Sequence, residues 1–288
     1  VMTTAFTARP AGVEICALGE GPVWDGARQR LLWVDIDGGV VHQGALRDGR
    51  IAATGEWRFG AEVGAVAVAE SGELLVAERE VLTRVAVDGT RTELARVLAP
   101  GSTSRLNDGA VDPAGRFLVG SLDPGQRSGT EVLVRFENGG LTTLDNDLIL
   151  SNGLAWSPAG DRFYSIDTIP GVVHVRDYDP VTGAAGERRA AFRVGGGLPD
   201  GMCADADGNL WIAVWDGGRV ECRTPSGVLV ATVTVDAPQP TSVAFAGPDL
   251  DLLVITTART EGFPGSGRLF TARVGVTGLP TAYWDPAR

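Results

Sequence analysis

The chain has 288 residues, 44% of them hydrophobic and 21% charged, which is the balance of a folded globular protein able to bury a core. Its formal net charge is -11 with no cluster of Lys and Arg, so the basic patch that nucleic acid or an anionic membrane surface requires is missing. No apolar run reaches the roughly 18 residues of a membrane span, and 40 Gly and 16 Pro spread along the chain point to many tight turns.

Six similar units follow one another. The first opens on Glu20 in EGPVWD and continues RQRLLWVDIDGGVVHQGAL; the second opens on Val63 in VGAVAV and continues SGELLVAEREVLTRVAVDG. The third opens on Asp108 in DGAVDP, with AGRFLVGSL and EVLVRFENG behind it, and the fourth on Asn152 in NGLAWSP, with AGDRFYSIDT and GVVHVRDYDPVTG. The fifth opens on Asp200 in DGMCAD, before DGNLWIAVWDGGRVECRTPSG, and the sixth on Thr241 in TSVAF, before LDLLVITTA and GRLFTARVGVTG. The intervals between openings are 43, 45, 44, 48 and 41 residues. Each unit repeats the same grammar of apolar strand, Gly- or Asp-containing turn, apolar strand, loop and alternating strand. VLVRF and VVHVRDY alternate with period two, and no apolar stripe of helical period runs for three turns. Such units predict an all-β, six-bladed β-propeller, one domain closed into a ring over residues 1–288. The segment around residues 7–17 is expected to supply the outer strand that closes the ring with the last unit. A β-sandwich or two small β domains would not produce the six-fold register.

In a propeller the innermost strand of each blade starts near one mouth of the central channel, so equivalent blade-start positions converge on the axis. Those positions hold Glu20, Val63, Asp108, Asn152, Asp200 and Thr241, and Asn107, just before Asp108, is also within reach of the axis. Asn-Gly and Asp-Gly also form turns, but four oxygen-bearing side chains in register, each leading into an apolar strand, point to a site for a hard divalent cation. Without a cation, carboxylates so placed would repel one another and their pKa values would rise.

LGEGPVWD with LLWVDI, then RLNDGAVDPAGRFLVGSL, LSNGLAWSPAGDRFYSIDT, LPDGMCADADGNLWIAVWDGGRV and PTSVAFAGPDLDLLVITTA resemble the regucalcin/gluconolactonase family (senescence marker protein-like), in the family's order and from about Glu14 to Ala272. The resemblance implies a six-bladed propeller lactonase with a divalent ion at the channel mouth. It assigns Glu20, Asn152 and Asp200 to the metal, and Arg105 and Asn107 of the RLNDG motif to substrate or a metal-bound water. Direct ligation by Asn107, as in the more distant phosphotriesterase propellers, stays open. One cation is expected, Ca2+ foremost, with Zn2+, Mn2+, Mg2+ or Fe2+ as alternatives.

The two histidines, His42 and His174, lie late in their repeats in VVHQ and VVHV and read as strand residues, leaving no histidine pair at the mouth. No GxSxG elbow appears, and a Ser-His-Asp triad lacks its histidine. Metal-assisted hydrolysis is the chemistry left, and the resemblance implies a sugar lactone as its substrate, with Asp200 as ligand and general base and with Arg105 and Asn107 holding sugar hydroxyls or the carbonyl oxygen. The alternatives are a phosphotriesterase-like esterase and a calcium-binding propeller without turnover. Trp24, Trp33, Trp156, Trp211 and Trp215 read as packing between blades, with stacking on a sugar as a second reading for Trp24 and Trp156. The insertion Asp123–Thr130 reads as a loop over the mouth. Cys16, Cys203 and Cys222 are odd in number, widely spaced and without CxxC or Cys/His zinc spacing, so they read as buried free thiols. The N-terminus has no basic segment leading into an apolar one, and Val1-Met2 reads as a remnant ahead of the natural start. The expectation is a cytoplasmic protein, monomeric or weakly homo-oligomeric, whose partner is a small sugar lactone and neither nucleic acid nor membrane.

Overall fold

The computed structural model describes residues 3–288, so the reading of Val1-Met2 lies outside the described residues. The described residues form strands and turns, with no helix long and apolar enough to cross a membrane. Six antiparallel sheets follow the six repeats in order, each with its first strand innermost. Those inner strands are Gly19–Asp25, Val63–Val68, Arg105–Val111, Ser151–Trp156, Leu198–Ala204 and Pro240–Ala246. The second strands are buried at all but an end position, and Leu252–Thr257 and Phe117–Leu122 at every one. Each is sandwiched between neighbouring blades, which is why the sequence reads there as continuous apolar runs instead of alternating ones. Outermost strands such as Arg50–Arg58 are largely exposed and polar.

The hydrophobic core is divided into six clusters, one per blade interface. Leu32, Val34 and Val41 of blade one meet Val66, Leu74 and Val76 of blade two; Leu118 and Leu133 of blade three meet Leu154, Trp156 and Phe163 of blade four. The interface between blades six and one, built from Val254 and Leu269 against Trp24, Leu31 and Trp33, takes in Ala11 and Cys16 from the N-terminal segment. Ring closure is tighter and shorter than the sequence suggests. Arg9–Pro10 pairs antiparallel with Phe270–Thr271 as the outer strand of blade six, while Thr4–Thr7 pairs parallel with Ala231–Thr234 and adds a fifth strand to blade five. The N-terminal segment therefore straps two blades and not one. At the opposite end of the chain, a segment with no repeat signal crosses the lower mouth. Asp205 bridges to Gly278, the Trp284 N–H donates to Val68 O at 2.9 Å, and the Asp285 N–H donates to Gly115 O at 2.9 Å. Buried Trp284 anchors it.

All six inner strands carry a β-bulge at the blade-start position, where the pairing register slips between Glu20 and Val23, Val63 and Ala65, Leu106 and Gly109, Asn152 and Leu154, Pro199 and Met202, and Pro240 and Val243. A bulge re-aims side chains and raises local twist, and six in register turn one residue per blade toward the channel. Asn152-Gly153 and Asp200-Gly201 are thus strand residues and not turns. Their glycines serve close approach between neighbouring inner strands: a Cβ on Gly153 would sit 2.7 Å from Asp200 O, and one on Gly64 would sit 2.5 Å from Asn107 O and 2.6 Å from Leu106 O. Since backbone blocks Gly64 on the blade-three side, Gly64→Ala is expected to cost about 3 kcal/mol by overpacking and to lower Tm by roughly 5–10 °C. Thermal denaturation checks this, and an unchanged Tm would show that the inner strands can spread.

Candidate metal centre at the channel mouth

The bulges bring Glu20, Asn107, Asn152 and Asp200 to one cavity of about 240 Å3 at the mouth, with Arg105 and Thr168 beside them. All six side chains are buried. The polar contacts form a directed chain. Arg105 Nη1 donates to Asn107 Oδ1 at 2.8 Å and to Leu106 O at 3.0 Å. Asn107 Nδ2 donates to Ser151 O at 2.9 Å and to Asn152 Oδ1 at 3.2 Å. Asn152 Nδ2 in turn donates to Thr168 Oγ1 at 3.1 Å, and the Thr168 hydroxyl donates to Pro199 O at 2.8 Å. Each amide is thereby oriented by its neighbours, with its oxygen on the Arg105 side and its nitrogen toward the next blade.

The carboxylates are treated differently. Glu20 Oε2 accepts only its neighbour's Gly21 N–H, at 3.0 Å, and Asp200 Oδ1 is buried with no hydrogen-bond partner. An unpartnered buried carboxylate oxygen is costly. Burial raises the pKa of Glu20 well above the ordinary carboxylate range, and the charges of Asp200 and Asp108 push it further; burial and then Asp108 do the same to Asp200. Burial also lifts Asp108 to about 6. Three acids thus share one low-dielectric neighbourhood, while the buried cation beside them, Arg105, has its own pKa lowered by desolvation. The donor set is oxygen only, anionic and short of positive charge, so it fits a hard divalent cation.

Asp108 and Asn107 exchange the places expected from the aligned glycines. In blade three the bulge falls on Asn107-Asp108, one residue earlier than on Asp200-Gly201 in blade five. This puts Asn107 in the mouth cavity, whereas Asp108 lines a separate channel cavity beneath it with Gly21, Val66 and Met202. The tryptophans also divide. Trp33 and Trp211 are fully packed between blades, but Trp215 lines the mouth and is not interblade packing alone. Trp24 and Trp156 line cavities at the far end of their strands and do not stack over the mouth. Arg127, from the Asp123–Thr130 insertion, reaches the mouth. The apolar part of the wall comes from Leu18, Leu122, Leu150, Ile169 and Leu198. Of these wall residues, Trp215 and Ile169 sit where second strands turn into third, a position the repeat pattern marks but blade-start reasoning passes over.

A family model described as the SMP-30/Gluconolactonase/LRE-like region matches residues 18–259. A pentonolactonase of Haloferax volcanii is 36% identical, covering 92% of this chain and 94% of its own. A 6-deoxy-6-sulfogluconolactonase of Pseudomonas putida is 36% identical, covering 91% of this chain and 92% of its own. The crystal structure of a calcium-binding protein, regucalcin, from Agrobacterium tumefaciens superposes with a TM-score of 0.91 at 26% identity, over 99% of this chain and 100% of that one. The match over most of the chain, the blade count and the relatives agree: the chain is a member of the SMP-30/gluconolactonase/LRE-like family.

Proposed function

We propose that the protein hydrolyses a sugar lactone to the corresponding aldonic acid with the help of one divalent cation, Ca2+ foremost, held by Glu20, Asn152 and Asp200. The observation that carries this reading is Asp200 Oδ1, a buried carboxylate oxygen without a partner, next to Glu20 in an oxygen-lined cavity. The names of the Haloferax and Pseudomonas relatives, both sugar lactonases, support the substrate class. A cation bound there supplies a Lewis acid and acidifies water.

The chain's own residues do the rest. Asp200 takes a proton from the attacking water, whose oxygen bonds to the lactone carbonyl carbon. The ring C–O bond then breaks, and the ring oxygen leaves as a hydroxyl by taking back the proton that Asp200 drew from the water. Both recorded protein hydrogen bonds of the Arg105 guanidinium use Nη1, which leaves Nη2 and Nε for the substrate's carbonyl or the carboxylate it becomes. Asn107 is fixed through Arg105 and Asn152 and positions Asn152 as well as substrate hydroxyls. The indole of Trp215 offers a flat apolar face to the C–H side of a sugar ring. A panel of pentono- and hexonolactones, assayed on metal-depleted protein reconstituted with one ion at a time, tests the proposal. Opening above the spontaneous rate with calcium, and none of an organophosphate triester, is expected. Tight cation binding with no lactone turned over would sink it.

A further inference from the structure

We propose that Cys16, Asp35 and His42 form a second metal site, for a zinc-type divalent ion, at the seam where the N-terminal strap closes the ring. One ligand atom from each lies within 4.8 Å of the other two, and none of the three lines the mouth cavity. Topology assembles them from three places. Cys16 follows the strap, Asp35 ends the second strand of blade one, and His42 stands on the third strand opposite Trp33.

Each residue is held in position. The Asp35 carboxylate accepts the Ala17 and Leu18 N–H groups at 3.0 Å each, which fixes the turn carrying Cys16, and the Gly38 N–H at 3.3 Å. The His42 ring stacks on Trp33 with centroids 5.1 Å apart and planes 18° from parallel. Glu56 stands 4.0 Å from its Nδ1, too far for a hydrogen bond. A fourth donor is at hand in Glu14, whose charge acts on both Cys16 and His42 and whose Oε2 is buried without a hydrogen-bond partner.

Sulfur, imidazole nitrogen and carboxylate oxygen are the ligands of zinc and similar borderline ions. They contrast with the all-oxygen set of the mouth, so ligand type sorts a soft ion to the seam and a hard one to the channel. Charge agrees, since one thiolate and one carboxylate neutralise a dication. Without an ion the thiol is an inert core group, because burial and the charges of Asp35 and Glu14 push it up to about 12. A bound cation reverses that balance and drives the proton off. Cys16 is packed between Val254 and Leu269 of blade six and Trp33 of blade one, so the ion would clamp the strap to blade one, a structural role.

Cobalt(II) added to the metal-free protein tests this through its near-ultraviolet thiolate-to-cobalt charge-transfer band. The band is expected in the natural protein and in the double variant Glu20→Gln/Asp200→Asn, which lacks the mouth carboxylates. It is expected to vanish in Cys16→Ser and in His42→Gln, the latter a largely buried position whose fold is checked by an unaltered circular dichroism spectrum. Zinc should raise Tm by about 5 °C in the natural protein and not in His42→Gln. No band in the natural protein, or a band surviving both Cys16→Ser and His42→Gln, overturns the site.

Discussion

Asp200→Asn is expected to lower kcat/KM for lactone opening by at least about 10³-fold while leaving the propeller folded. Removing a general base costs about 10²–10⁴ in rate, and loss of an anionic ligand weakens cation binding on top of that. Asparagine keeps the shape of the side chain, so the Asn152 chain of hydrogen bonds and the close packing around Asp200 O survive. The stability effect runs the other way. Asp200 is one of three acids whose pKa values burial and mutual repulsion raise, and neutralising one of them relieves the others. The metal-free variant should therefore melt at a higher temperature than the metal-free natural protein at pH 8. A rate loss with a raised Tm separates a functional carboxylate from a structural one, because loss of a structural partner lowers both. Activity within threefold of the natural protein would remove Asp200 from the chemistry.

The fold was legible because a propeller repeats itself. Trp24 and Trp156 recur at the same offset in their units, and the two-sided burial of second strands writes itself as LLWVD, FLVGSL and LLVITT. The gathering of Glu20, Asn152 and Asp200 was legible for the same reason, as one slot in three blades. Two kinds of feature were not. A bulge that moves by one residue leaves no mark in the sequence, so the exchange between Asn107 and Asp108 needed the pairing of Leu106 with Ser121 and of Gly109 with Val119 to be seen. Contacts made by non-repeating segments are also silent: the bridge from Trp284 to Ala69, the strap on blade five, and the meeting of Cys16 with His42 join stretches with no shared pattern. Zinc spacing rules look for ligands close in sequence, whereas Cys16 precedes the first strand of blade one and His42 stands on its third, so the two meet only in the fold.

Chelation at pH 8 is expected to abolish lactone opening and to lower Tm, and the loss of Tm should shrink as pH falls toward 5.5. Burial raises the folded-state pKa values of Glu20 and Asp200 well above the ordinary range and that of Asp108 to about 6, whereas unfolded carboxylates titrate near about 4. A raised folded pKa means that the native state binds more protons than the unfolded one between those values. The contribution of these groups to stability is therefore full below about 4 and is lost as pH rises through about 6 and above. The cation needs the same carboxylates ionised, so its affinity climbs over that range and binding releases protons. At a hundredfold excess over Kd it stabilises by about 2.7 kcal/mol, and because Kd falls with pH, a fixed calcium concentration protects more at pH 8 than at 5.5. The readout is the difference in Tm with and without calcium at each pH, which cancels titrations elsewhere in the chain. Performing it in the His42→Gln background keeps the seam out of the measurement. A calcium-dependent increment that narrows as pH rises, or activity that survives exhaustive chelation, would mean that the acids at the mouth keep their protons for another purpose.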